Sequence, residues 1–157
     1  MGEPGDMIKV RTTLAQDIQR INQVIAAAMN SWRISDRVKR ISLPLYQYQV
    51  DDMDYFQILV AENQNGEVLG VTATEDGEGR SLALHGIYVD PDCHRQGVGS
   101  GLLRQVEQIA AAQGYDSLTV KAKADSTGFF ANQGFEKLPI ENPDRDYPYR
   151  YRKALDF

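Results

Sequence analysis

A single cysteine, Cys93, stands in this chain, so no disulfide can close within it. A lone thiol suits a reducing compartment, and a cytoplasmic location is the expectation. No apolar run approaches the ~18 residues that a membrane span needs, and no membrane partner is expected. The opening residues, MGEPGD, lack the basic and apolar regions of a secretory signal. Basic residues are outnumbered: 17 Lys and Arg against 22 Asp and Glu leave a net charge of −5. An acidic chain without a Lys/Arg cluster is a poor nucleic-acid binder. The same balance is mildly compatible with a cationic substrate such as an amine. The rest of the composition, 42% hydrophobic and 25% charged, is that of a globular protein. A chain of 157 residues buries about two-thirds of its surface without staples, and a single domain over residues 1–157 is expected. No repeat, low-complexity tract or long linker divides it.

The most informative stretch is LHGIYVDPDCHRQGVGSGLLRQVEQIAAAQGY, Leu84 to Tyr115. It reads as a buried strand, a tight turn, a glycine-rich loop and an amphipathic helix. Gly97, Gly99 and Gly101 alternate where the helix begins. Without a Cβ, such a loop lets backbone N–H groups approach a ligand closely. A helix N-terminus adds unpaired donors and partial positive charge. Together they make an anion site, most often for phosphate. Spacing narrows the ligand. A Walker loop needs GxxxxGK[ST], and no such lysine follows. A dinucleotide fingerprint needs GxGxxG, and from Gly97 the last position falls on Leu102.

Gln96-x-x-Gly99-x-Gly101, preceded by Ile87-Tyr88-Val89-Asp90-Pro91, resembles the Q/R-x-x-G-x-G/A motif of the GNAT acetyltransferases. FFANQGF at Phe129–Phe135 resembles the family's FYxxxGF, and the two blocks follow in the family's order over roughly Leu82 to Phe135. The resemblance implies an α+β, three-layer fold: a mixed, mostly antiparallel sheet flanked by helices, with a splayed strand pair at the acetyl-CoA site. It implies acetyl-CoA as co-substrate, with no metal. The pyrophosphate falls to Arg95, Gln96, Gly97, Val98, Gly99, Ser100 and Gly101. Ile87, Tyr88 and Val89 run along the pantetheine arm as an added strand would, and Phe129 and Phe130 pack along the cofactor. The activity implied is acetyl transfer to a primary amine, small or protein-borne, by direct attack. A transferase of longer acyl groups and a weakly catalytic CoA-binding module are the alternatives. A homodimer is left open.

Periodicity supplies the remaining elements. Met1–Asp6 reads as a loose leader and Met7–Arg11 as a first strand. Thr13-Leu14-Ala15-Gln16 has the form of a capping box. Leu14, Ile18, Ile21 and Ile25 then predict a helix to about Met29. Arg33–Arg40 predicts a helical turn, with Pro44 interrupting it. Phe56–Glu62 and Glu67–Glu75 predict a hairpin about Asn63–Gly66. Asp76–Arg80 is a turn, and Ser81–Val89 the strand into the loop. There Leu82 and Leu84 share one parity, Ile87 and Val89 the other, which predicts a bulge near His85–Gly86. The helix after the loop buries Leu102, Leu103, Val106, Ile109 and Ala110, and Gly114 ends it. Ser117–Ala122 is a strand. A short helix capped by Asp125 or Ser126 runs through Gln133 and closes at Gly134. Phe135–Ile140 and Tyr147–Leu155 are the last strands, with Glu141–Asp146 a loop between them.

Acetyl transfer needs a held thioester, a donor for the developing oxyanion and a route for the amine proton. His85, at the expected bulge, is the candidate base because histidine titrates near neutrality. His94 fits phosphate contact or solvent exposure better than catalysis. Cys93, although beside His94, is a bystander, since adjacent turn residues do not form a nucleophile–base pair. Phe130 stands where the family's proton-donating tyrosine is common, and Lys123 where asparagine or serine often lies. Neither carries over the family's acid. Tyr147, Tyr149 and Tyr151 read as a packing ladder on one strand face. The run Tyr46, Tyr48, Asp51, Asp52, Asp54 and Tyr55 reads as a solvated face that would attract a cationic amine if it lined a pocket.

Overall fold

The computed structural model describes residues 8–93 and 96–155. Its elements are β1 (Lys9–Thr12), α1 (Ile18–Asn30), α2 (Asp36–Tyr46), β2 (Gln57–Glu62), β3 (Val68–Asp76), β4 (Ser81–Val89), α3 (Val98–Ala112), β5 (Ser117–Lys121), α4 (Thr127–Asn132), β6 (Glu136–Lys137) and β7 (Arg150–Ala154). The strands pair in the order β1-β2-β3-β4-β5-β7-β6, a mixed α+β fold with a mostly antiparallel sheet flanked by helices. The chain forms two compact units: residues up to Ala73 with Ile87–Gln105, and Thr74–Gly86 with Val106 onward.

In the first unit, β1 and β2 pair antiparallel from Lys9↔Glu62 to Thr12↔Leu59. The α1 stripe falls as its periodicity predicts, burying Ile18, Ile21, Val24, Ile25, Ala28 and Met29. It packs on Ile58 and Val60 of β2, on Val71 and Ala73 of β3, and on Tyr48 and Tyr88. Each fully buried aliphatic side chain here contributes about 1.5–3 kcal/mol relative to exposure. The helix start differs from the expected Thr13 box. Asp17 Oδ2 accepts the Leu14 N–H at 2.8 Å, one turn on, because Arg11 holds that carboxylate in place with bonds of 2.8 and 3.0 Å. The buried Thr13 hydroxyl has no hydrogen-bond partner among the described residues. Asn63 shapes the β2–β3 turn as expected: its Oδ1 accepts from Asn65 and Glu67 N–H, and Gly66 takes φ +81°.

Pro44 does not interrupt α2. The helix starts at a Ser35 cap, whose Oγ accepts the Val38 N–H at 3.2 Å, and continues to Tyr46. Proline sits in the last turn, where the lost N–H costs one bond at an end already closing, and Gln47 N–H still reaches the Leu43 carbonyl at 3.2 Å.

In the second unit, β4 pairs parallel with β5 from Ser81↔Ser117 to Leu84↔Val120, and β7 pairs antiparallel with β5 and β6. Two strands are shorter than expected. Pro139 follows β6 after Leu138, and Pro148 keeps Tyr147 and Tyr149 ahead of β7, since proline cannot donate to a ladder. The tyrosines therefore do not share a strand face, although Tyr147 and Tyr149 pack edge-on at 5.9 Å. Tyr147 donates its hydroxyl to the Ala122 carbonyl at 2.6 Å, while Tyr149 O accepts the Ala122 N–H at 2.9 Å. Gly134, at φ +90°, closes α4 as expected. Ser126, its N-cap, makes no side-chain cap bond. Instead the Thr127 hydroxyl donates to Ala124 O at 3.1 Å.

Candidate active site

The first unit carries the glycine loop. β4 ends at Val89, and the chain turns at Asp90. The Asp90 N–H donates to Leu69 O at 2.8 Å, its carbonyl accepts from Cys93 N–H at 2.8 Å, and its Oδ1 accepts from Asp92 N–H at 3.0 Å. Arg20 of α1 completes the clamp: Nη2 donates to Asp90 Oδ2 at 2.9 Å and Nε to Val68 O at 3.0 Å. Asp90 thus ties the exit from the strand to β3 through its N–H and to α1 through its carboxylate. Hydrogen bonds to charged groups contribute about 1.5–3 kcal/mol each, discounted here because Arg20 is partly exposed. Periodicity could not have shown this pair. Only the Asp-Pro turn signal pointed at Asp90.

The loop then enters α3. Gly97 takes φ +77°, a conformation that L side chains rarely adopt, so glycine there is a backbone requirement. The Gly101 N–H closes the first turn on Gly97 O at 2.9 Å. A Cβ built on Gly101 meets no heavy atom of the described residues within 4 Å. Among the described residues neither backbone strain nor packing explains that glycine. Val98 is buried, whereas Gln96 is exposed and Gly99, Ser100 and Gly101 are half-buried. Gly70 of β3 seats the helix. A Cβ there would lie 2.6 Å from Val98 Cγ1, 3.2 Å from Leu102 Cδ1 and 3.2 Å from Tyr88 O. His94 and Arg95 lie outside the described residues, so the Arg95 assignment has no geometry here.

Of the strand residues assigned to the cofactor, Ile87 and Val89 are half-buried. Tyr88 is the buried one, against the expected parity; burial pushes its phenol well above the usual range. Its ring faces Trp32 at 6.3 Å, so any contact it makes with a cofactor falls to its backbone. Burial first, then Asp90 and Asp92, pushes the Cys93 thiol up. The tyrosine and aspartate run divides. Tyr48 is buried, tied to Asn22 by two 2.8 Å bonds, and Tyr46 meets Trp32 edge-on at 5.6 Å. Met53–Ile58 line a cavity of about 310 Å³ with Thr12 and Thr13.

The second unit carries His85 and the aromatic block. The β4–β5 ladder stops at Leu84↔Val120, although β4 runs on to Val89. Gly86 takes φ +140°, but Leu82, Leu84 and Tyr88 are buried on one parity, so the phase shift that predicted a bulge near His85–Gly86 does not occur. His85 Nε2 lies 3.2 Å from Glu75 Oε1 of β3, a partner the sequence reading missed, with the hairpin register as its only signal. Lys123 follows β5, and burial lowers its pKa. Phe130 is buried and packs edge-on against Phe129 at 5.2 Å and Phe135 at 5.3 Å. Among the described residues no group of three or more His, Cys, Asp or Glu could hold a metal ion, and no helix is long and apolar enough to cross a membrane.

Several solved structures share this architecture. A PaiA N-acetyltransferase from Thermoplasma acidophilum, in complex with coenzyme A, aligns over 94% of this chain and 98% of its own at 14% identity, TM-score 0.78. A GNAT acetyltransferase from Staphylococcus aureus Mu50 aligns over 95% and 99% at 18% identity, TM-score 0.74. A GNAT family acetyltransferase from Brucella melitensis, in complex with acetyl-CoA, aligns over 95% and 88% at 22% identity, TM-score 0.68. At such identities these likenesses show the fold. Residues 36–146, well over half of the chain, match the acetyltransferase (GNAT) domain, and the chain belongs to the GNAT acetyltransferase family.

Proposed function

We propose that this protein moves the acetyl group of acetyl-CoA to a primary amine by direct attack, with the cofactor's pyrophosphate on Gln96–Gly101. The observation that carries the proposal is Gly101: a glycine within a helix, with neither strain nor packing among the described residues to require it, beside a loop whose Gly97 needs positive φ. A helix N-terminus fits a phosphate group. Ile87–Val89 lie along the pantetheine arm, and Phe129 and Phe130 belong to the same cofactor by family resemblance. His85 takes the proton the amine must lose, with Glu75 Oε1 3.2 Å from its Nε2 to orient the ring. The amine nitrogen bonds the acetyl carbon, the carbon–sulfur bond breaks, and the thiolate leaves. The buried Phe130 cannot return a proton to it, so solvent does.

Phe130 also favours a second reading, a CoA-binding module with little turnover. Two measurements together separate these possibilities. Acetyl-CoA is expected to raise the melting temperature, and a panel of amines to elicit thiol release. A folded protein with no shift at millimolar CoA would falsify the cofactor assignment. A shift without thiol release from any amine leaves the binding module standing. A CoA shift in His85→Ala with turnover unchanged removes His85 as the base.

A further inference from the structure

The cavity of the first unit has no part in the cofactor reading. Thr12 and Thr13, at the end of β1, line it with Met53–Ile58, which lead into β2. Its volume of about 310 Å³ is within the range of small-molecule sites. It is not the anion site of the glycine loop. Leu69, whose carbonyl holds the exit of β4, stands at the start of β3. The β2–β3 hairpin turns at Asn63–Gly66, so β2 begins at the opposite end of these strands.

Two polar groups of this cavity lack partners. Thr13 is 2% exposed, and its N–H donates to Ile58 O at 3.0 Å, yet its hydroxyl is bonded to nothing among the described residues. A buried hydroxyl left unbonded is costly, and native proteins ordinarily satisfy it. Asp54 ends the 3-10 turn Val50–Asp54. Asp52 of that turn caps it, with Oδ2 accepting the Gln49 N–H at 2.8 Å. The Asp54 carboxylate makes no hydrogen bond or ion pair among the described residues. It is also the one charged group among the residues that line the cavity. Arg11, next to Thr12, does not answer it, because Asp17 holds that guanidinium at 2.8 and 3.0 Å and Glu62 at 2.9 Å. Asp54 is exposed and Thr13 buried, so the carboxylate marks the mouth and the hydroxyl the depth. Met53, Phe56 and Ile58, packed on the core, supply apolar wall.

We infer that this cavity binds a small organic ammonium with a polar far end. The ammonium pairs with Asp54, an apolar stem lies along Met53, Phe56 and Ile58, and the far end bonds the Thr13 hydroxyl. The inference concerns binding alone and does not depend on acetyl-CoA.

The test is NMR titration of the full chain, without acetyl-CoA, by aminohexanol, by hexylamine, which lacks the hydroxyl, and by hexanol, which lacks the ammonium. Aminohexanol is expected to shift the amide signals of Thr13 and Met53–Ile58. Hexanol is expected to bind at least ~tenfold more weakly, the equivalent of one bond to a charged group. Asp54→Asn should remove that difference with circular dichroism unchanged. Thr13→Val should raise the melting temperature of the free protein, since an unbonded buried hydroxyl is removed, and should abolish the preference for aminohexanol over hexylamine. Hexanol binding as tightly as aminohexanol overturns the proposal. So do shifts confined to residues outside the cavity, affinity indifferent to Asp54→Asn, or no binding of either amine at millimolar concentration.

Discussion

Replacing Gly101 separates the two demands on the start of α3. Its φ is not in the left-handed region, and a Cβ there meets no heavy atom of the described residues within 4 Å, so a side chain is accepted there without backbone strain. Glycine within a helix costs about 0.5–1 kcal/mol relative to alanine. Gly101→Ala and Gly101→Leu should each return that amount to the apo protein. For a chain of this size, 1 kcal/mol moves the melting temperature by about 2–4 °C. Ligand at a hundredfold excess over Kd adds about 2.7 kcal/mol, and so some 5–10 °C. Alanine, which the family motif accepts at this position, should keep the CoA-dependent rise. Leucine should abolish most of it, because its side chain occupies the space above the helix end. The assay is thermal denaturation of three proteins with and without CoA, with calorimetric titration as a check. Leucine that retains the full rise would show that the phosphates lie elsewhere. An apo melting temperature that falls in both variants would show a packing role for Gly101, and the reasoning from open space would fail.

Gly70→Ala should destabilise by about 1–3 kcal/mol in denaturant titration, because its Cβ falls 2.6 Å from Val98 Cγ1 and forces α3 from β3. Asp17→Asn should cost about 1–3 kcal/mol at neutral pH, through the lost charge-assisted bonds to Arg11 and the Leu14 N–H. Arg11 first, then the Leu14 N–H, holds the Asp17 carboxyl below its usual value against burial, so its contribution is full above about pH 4 and fades as pH falls through the depressed native pKa. Urea melts at descending pH should therefore show wild type converging on Asp17→Asn, and a constant gap would refute the assignment. Phe130→Ala should lose about 3–5 kcal/mol by opening a cavity between Phe129 and Phe135. Phe130→Tyr should keep or raise turnover if its ring edge adjoins the thiolate. A large loss of kcat with tyrosine places the thiolate elsewhere.

What the sequence disclosed was local. The β4 strand runs from Ser81 to Val89 as expected, because its apolar run is bounded by a turn signal on one side and Asp-Pro on the other. The α1 stripe and the Asn63–Gly66 turn were legible for the same reason: each rests on one periodicity or one turn chemistry. The α2 helix was misjudged because a proline in a last turn weighs less than one in mid-helix, and because Ser35 was not recognised as a cap. The tyrosines before β7 were misjudged because alternation was counted across Pro148. In the candidate site, the glycines announced themselves by spacing. The Glu75 partner of His85 and the Arg20–Asp90 clamp did not, since both join residues far apart in sequence.

That clamp has a kinetic consequence. Arg20 and Asp90 are 70 residues apart, so the bond closes only after β2, β3 and β4 have been synthesised and α1 has found its place. Loop-closure entropy must be met before so distant a contact stabilises the fold. If the contact closes after the transition state, a ligand that grips the finished loop binds a structure the transition state lacks. Its effect falls on the rate of unfolding more than on the rate of folding. Acetyl-CoA would act on this protein as a brake on its loss rather than as a guide to its formation.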